Sequence, residues 1–172
     1  MKLASLMAQL GTRLGKHRVL WWIARLYPPF VGAGIRVRAT PGLESIDVEL
    51  PLTWWNRNYV GTHYGGSLFS MCDPFFMIML IERLGPDYIV WDKASRIRFR
   101  RPGRGRVRAH FHLSDAQVAA IRAEADVQPR TEPTLNVQVV DDHGEVIAEV
   151  ERTLHVRRKD GPRQASRTEG AA

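Results

Sequence analysis

The chain has 172 residues, of which 44% are hydrophobic, 25% charged and 9% aromatic, the balance of one globular domain and not of a disordered or fibrous chain. Its single cysteine, Cys72, excludes a disulfide framework and any CxxC zinc or redox motif. The net charge of +7 would ordinarily suggest nucleic acid or an anionic membrane as a partner.

That excess is confined to one segment. Residues 1–43 carry Lys2, Arg13, Lys16, Arg18, Arg25, Arg36 and Arg38 and no acid, so the rest of the chain is formally neutral. Leu3, Leu6, Met7, Leu10 and Leu14 recur at helical spacing. A second apolar cluster, Leu20, Trp22, Ile23, Leu26 and Tyr27, runs up to Pro28-Pro29, which ends the helix. The pattern predicts an amphipathic N-terminal helix within residues 1–29. Its apolar core, residues 19–24, is shorter than a signal peptide needs, and no stretch reaches the ~18 apolar residues of a membrane span. A cytoplasmic protein is therefore expected, although an organelle transit peptide would have a similar composition. The helix is expected to pack on the domain or on a second subunit. The alternative is contact with an anionic membrane surface through its bases, Trp21 and Trp22.

Residues 34–40 and 44–50 alternate on either side of Pro41-Gly42 and read as two strands. Residues 54–66 are turn-rich. Residues 67–81 are almost wholly apolar and read as a helix buried on all sides. Residues 88–101 and 105–114 alternate around Pro102-Gly103-Arg104, which predicts a hairpin. In its first arm Ser95, Ile97 and Phe99 face one way, and Arg96, Arg98 and Arg100 the other. Ser114 or Asp115 caps a short helix over 116–127. Residues 135–140 and 146–156 form a further strand pair around Asp141-Asp142-His143-Gly144. Apolar residues then cease, and 159–172 reads as a disordered tail. The expected fold class is α+β: one domain over 30–158, an antiparallel sheet of about six strands wrapped round a central helix.

The segment that carries chemistry is 58–76, NYVGTHYGGSLFSMCDPFF. Gly65 and Gly66 precede an apolar helix, whose first amides have no partner within the helix and can receive a carbonyl oxygen or oxyanion. Asp73 follows inside the apolar run, where a carboxylate is costly unless paired, capping or used. An amide pocket and a carboxylate on one helix suit attack on a carbonyl carbon. Asp-Pro-Phe-Phe is equally a good helix start, with Asp73 as N-cap and Pro74 at the first position. If the helix instead begins at Gly65, Pro74 should kink it. Periodicity does not choose between these.

The segment resembles the helix-start motif of hotdog-fold acyl-CoA thioesterases, in the branch of phenylacetyl-CoA-type enzymes and an uncharacterised thioesterase-like group with Asp-Pro-Phe. Those proteins carry Asn, a Gly, then His-Gly-Gly, and an acid seven positions on; Asn58, Gly61, Gly65, Gly66 and Asp73 match. RIRFRRPGRGRVRAHF is similar to the same family's strand after the helix, and the likeness extends over roughly 34–157. The resemblance implies a hotdog fold and hydrolysis of an acyl-CoA thioester, with coenzyme A as part of the substrate and no other cofactor. It implies a homodimer or dimer of dimers with sites between subunits. Asp73 would be general base or nucleophile across that interface, the Gly65 amide, with Gly66, would polarise the thioester carbonyl, and Asn58 would position acyl group or water. Tyr64 stands at the family's histidine position and His63 one residue early, so both are candidates for holding substrate. A non-catalytic acyl-CoA or lipid-binding protein is the alternative.

Arg96, Arg98, Arg100, Arg106 and Arg108 form a basic stripe that something must neutralise. Glu145, Glu149 and Glu151 share a face of the last strand and are one answer; coenzyme A phosphates, reached by Arg100 and Arg101, are the other. Nucleic acid is not expected, since no binding motif is present. His110 and His112 share a strand face without a carboxylate or cysteine partner evident in the sequence, so no metal is expected. GxSxG, Walker A and GxGxxG motifs are lacking. Cys72 reads as packing, not as a nucleophile.

Overall fold

A computed structural model describes residues 16–161; the apolar repeat expected over 3–14 and the tail from 162 lie outside them. Helix α1 (Lys16–Leu26) and helix α2 (Pro28–Ala33) meet at Tyr27. Pro28-Pro29 ends the first helix, as expected, and also opens the second, where a fixed φ and a missing N–H fit the first turn. α2 stops at Gly34, whose φ of 81° is open to glycine and strained for other residues. Leu20 and Ala24 bury one side of α1 against the domain.

Six strands follow: β1 (Arg36–Ala39), β2 (Ser45–Pro51), β3 (Tyr88–Phe99), β4 (Arg106–His112), β5 (Thr134–Asp141) and β6 (Val146–Arg158). They form one antiparallel sheet in the order β1-β2-β4-β5-β6-β3. Alternate residues point inward, among them Val48, Leu50, Val107, Phe111, Val139 and Leu154, all fully buried. Against them lies the apolar segment, divided into helix α3 (Gly65–Ser70) and helix α4 (Phe75–Leu84). The rings of Phe75 and Phe76 sit 5.1 and 5.0 Å from that of Phe111, and each such ring contributes about 2–3 kcal/mol by leaving water. Helix α5 (Asp115–Val127) starts in a capping box: the Gln117 amide donates to Ser114 Oγ while Gln117 Oε1 accepts from the Ser114 amide.

Two expectations are corrected. The helix over 67–81 is not continuous: it breaks at 71–74, where Cys72 and Asp73 donate back to Phe69 and Ser70 in a turn. Pro74 disfavours helical backbone at Asp73 and supplies no amide, so the chain restarts at Phe75. Asp73 is consequently neither inside a helix nor its N-cap; Pro74 holds the cap position, with no side-chain hydrogen bond.

Residues 88–101 and 105–114 do not pair as a hairpin. β4 lies between β2 and β5, whereas β3 pairs with β6 on the far edge. Residues 102–105 form a crossing: the Gly103 carbonyl accepts from the His63 amide and the Gly105 carbonyl from the Leu52 amide. The arginine stripe is thereby split. On β3, Arg96 faces Glu151 and Arg98 faces Glu149 across the ladder, and beyond it Arg100 pairs with Glu149 at 2.6 Å and Arg101 with Glu145. On β4, Arg106 and Arg108 pair with Asp142 at 3.4 and 2.8 Å, and Arg108 also with Glu49 at 3.6 Å.

Candidate active site

The candidate residues fall into two groups. Asn58, His63, Gly65, Arg100 and Arg101 line one open depression of about 460 Å³, with Phe99 and Leu68. The Gly65 and Gly66 amides donate to no acceptor among the described residues, as expected for the first turn of α3. Rings lie over both glycines. A Cβ at Gly65 would stand 3.0 Å from Phe99 Cζ, and one at Gly66 would collide with the exposed ring of Tyr64. Tyr64 itself is the N-cap of α3 and contributes no side-chain cap.

Asn58 is spent on the loop. Its Nδ2 donates to Thr62 Oγ1 (2.9 Å) and the His63 carbonyl (3.1 Å), and its Oδ1 accepts from the amides of Val60 (3.1 Å) and Thr62 (3.0 Å). All four hydrogen-bonding positions of the side chain are filled. His63 is buried, and its Nε2 donates to the Gly105 carbonyl at 3.0 Å. A carbonyl only accepts, so Nε2 carries the proton and Nδ1, which has no partner, is the bare nitrogen. Burial holds its pKa below the ordinary histidine value, against the smaller upward pull of that hydrogen bond.

Asp73 lies elsewhere, in the wall of an apolar cleft of about 280 Å³ formed by Leu20, Ile23, Tyr27 and Phe30 on one side and Phe75 and Ile78 on the other. Its side chain is 51% exposed, not buried as a helical position would have made it. Oδ1 accepts from Arg152 Nη2 at 2.5 Å, while Oδ2 has no partner among the described residues. Arg152 is only 4% exposed and also holds Asp92 Oδ1, through Nη2 at 2.8 Å and Nε at 3.1 Å. Its guanidinium stands 5.7 Å from the ring of Phe69. The neighbouring Cys72 thiol is pushed up to about 12 by burial, with Arg152 lowering and Asp73 raising it, so it stays protonated and inert.

His110 and His112 stack in parallel 6.4 Å apart, but each is engaged on the sheet surface, His110 with Asp47 at 2.7 Å and His112 with Ser45 Oγ at 3.0 Å. Among the described residues no cluster of three metal-ligating side chains occurs.

Residues 15–156 match the sequence profile of the family described as "Domain of unknown function (DUF4442)". The chain belongs to that family. No curated protein matches it. Among solved structures, this DUF4442 chain is similar to PA5026 of Pseudomonas aeruginosa, a protein of unknown function described as a probable thioesterase. The two share 23% identity and a TM-score of 0.71, over 82% of this chain and 95% of that one. It is also similar to the thioesterase HI1161 of Haemophilus influenzae (14% identity, TM-score 0.61, 83% and 90% covered). A third is the PaaI protein of the E. coli phenylacetic acid degradation operon (17%, 0.55, 83% and 92%). The DUF4442 chain therefore has the hotdog fold of thioesterase-like proteins, as the helix-start motif implied.

One residue of the site escaped the sequence reading. Arg152 shares the strand parity of Val150 and Leu154, which are buried. An arginine at a core-facing position of a strand needs a buried carboxylate, and that parity was the available signal.

Proposed function

We propose that this DUF4442 protein is an acyl-CoA thioesterase whose active site is completed by a second copy of the chain. The observation that carries this reading is Asp73: a half-exposed carboxylate, fixed through one oxygen by a buried arginine, with its other oxygen open beside an apolar cleft. Such a cleft accepts an acyl chain, and a fixed carboxylate at its wall can take a proton from water.

The amide pocket at Gly65 stands at the other end of the same strand. Asp73 is tied through Arg152 to Asp92, near the start of β3, whereas Gly65 packs on Phe99 at its end. Seven residues of strand separate these ends by roughly 23 Å. β3 is an edge strand, and its inward residues Ile97 and Phe99 are incompletely covered, Phe99 being 56% exposed. Antiparallel pairing of two copies of β3 about Arg96, with the bulge between Asp92 and Ala94 shifting the phase by one residue, would bring Asp92 of one beside Phe99 of the other. Asp73 would then meet the Gly65 amide of the second copy.

In that site the thioester carbonyl oxygen accepts from the Gly65 amide. Asp73 Oδ2 takes a proton from water as its oxygen bonds to the carbonyl carbon. The tetrahedral oxyanion rests on the amide and collapses, breaking the C–S bond; coenzyme A leaves as the thiol after receiving the proton. Arg100 and Arg101, at the rim of the depression, face the coenzyme A phosphates in exchange for Glu149 and Glu145.

The second reading is a non-catalytic acyl-CoA binder, favoured by the Asp73–Arg152 pair, which gives Asp73 a structural purpose. Purified wild type and Asp73→Asn, assayed on a panel of acyl-CoAs, separate the two. Turnover by wild type and its loss in the variant is expected. Binding without turnover by wild type overturns the enzyme, and equal turnover by both overturns Asp73.

A further inference from the structure

Four of the five tryptophans lie on α1 and on the loop after β2. Trp21 and Trp22 meet edge to face at 4.9 Å on α1, and Trp54 and Trp55 do so at 5.7 Å on the loop after β2. Trp21 and Trp55 wall the same open groove of about 690 Å³. Tryptophan is usually well buried, yet Trp54 is 77%, Trp55 55% and Trp22 54% exposed, with Leu26 and Val31 also exposed beside them.

The charge lining the groove has one sign. Arg25, Arg36 and Arg38 line the groove and no carboxylate does, and the Arg25 guanidinium stands 5.1 Å over the Trp21 ring. The nearest acids by strand register, Asp47 and Glu49 on β2, are engaged by His110 at 2.7 Å and Arg108 at 3.6 Å. The sequence from Met1 to Leu43 adds further bases and no acid.

The surface is also held in place. Asn56 is buried; its Oδ1 accepts from the Thr53 amide (2.7 Å), and its Nδ2 donates to the carbonyls of Ala33 (2.8 Å) and Pro51 (2.9 Å). This ties the tryptophan loop to the end of α2, the helix that directly follows α1.

We propose that this face docks on the surface of an anionic phospholipid bilayer. Indole rings favour the headgroup level, where an apolar body and an N–H donor are both satisfied. Arginine matches phosphate in geometry and charge. A small anion would occupy only part of the groove and would not engage Trp22 and Trp54, which lie outside its lining. No described helix is long and apolar enough to cross a membrane, and the docking needs none, since the chain lies on the surface.

The test is flotation of the full chain with vesicles of phosphatidylcholine alone or with about 30 mol % phosphatidylglycerol, alongside tryptophan emission. It reads binding without activity, so it is independent of the thioesterase reading. Wild type is expected to float only with the anionic vesicles, to shift its emission to the blue, and to be released by about 0.5 M salt. The variant Arg25→Gln, Arg36→Gln, Arg38→Gln is expected to bind about 100-fold more weakly, roughly fivefold per arginine. Trp22→Ser, Trp54→Ser, Trp55→Ser should bind at least tenfold more weakly, and Trp54→Ser alone should already show part of the loss. Wild type remaining unfloated, or variants floating equally well, overturns the proposal. Vesicle-free self-association that the tryptophan variant abolishes, with no flotation of wild type, assigns the face to a second copy and also overturns it.

Discussion

Arg152, on the core face of β6, grips Asp73 at 2.5 Å and Asp92 at 2.8 Å with the same nitrogen. The two carboxylates differ: Asp73 is half exposed and Asp92 is 23% exposed. Arg152→Met leaves Asp92 with no counter-charge and is expected to lower stability by about 3 kcal/mol. Asp73→Asn leaves the Arg152–Asp92 pair intact and should cost under ~1 kcal/mol, because an exposed partner is screened by water. Urea unfolding of the two variants measures both. An equal loss in each would make Asp73 a structural residue.

Asn58 makes four hydrogen bonds within the loop 58–63 and keeps none for a ligand. Any effect of Asn58 on activity is therefore expected to pass through the loop and His63. Asn58→Ala should destabilise by about 1–2 kcal/mol and speed amide exchange at Val60 and Thr62. Unchanged exchange with lost activity would instead put Asn58 on the substrate.

Burial lowers the pKa of His63 and of His155, so both are neutral in the native protein. The unfolded chain binds these protons more readily. Their contribution to stability is complete above the unfolded value of about 6.5 and is lost as pH falls through the lower native values. The thermal midpoint should therefore drop as pH falls below about 6.5. His155→Phe should flatten part of that slope; an unchanged slope would show that His155 is not responsible.

Arg100 and Arg101 already hold Glu149 and Glu145, pairs exposed enough to contribute little to stability. If they also meet the coenzyme A phosphates, Arg100→Ala with Arg101→Ala should raise KM for acyl-CoA about tenfold. The same change should leave hydrolysis of an acyl thioester of N-acetylcysteamine, which has no phosphate, unaltered. Equal losses on both substrates would remove the phosphate role.

Much of this was legible from residue order. Alternation marked β1, β2, β5 and β6, the Ser114 start marked α5, and the Gly65-Gly66 pair marked the amide end of α3. The topology was not, because Pro102-Gly103-Arg104 is as good a turn locally as it is a crossing. The glutamates at 149 and 151, opposite Arg98 and Arg96, were the long-range cue that β3 belongs beside β6. Asp73 was misplaced for a related reason. An apolar run reads as one helix, and the partner that holds the carboxylate outside it, Arg152, lies 79 residues away.

Asp73 of one copy and the Gly65 amide of another are proposed to form one site. Gly65 is the first residue of α3, so Gly65→Pro deletes the amide where proline is tolerated, and Gly65→Ala keeps the amide as a control for the contact with Phe99. Two differently tagged chains, one Asp73→Asn and the other Gly65→Pro, are co-expressed and the mixed dimer is isolated. Each variant alone should be inactive, and the mixed dimer, with one intact site of two, should recover about half of the wild-type rate on acyl-CoA. A mixed dimer as inactive as its parents would contradict the shared site.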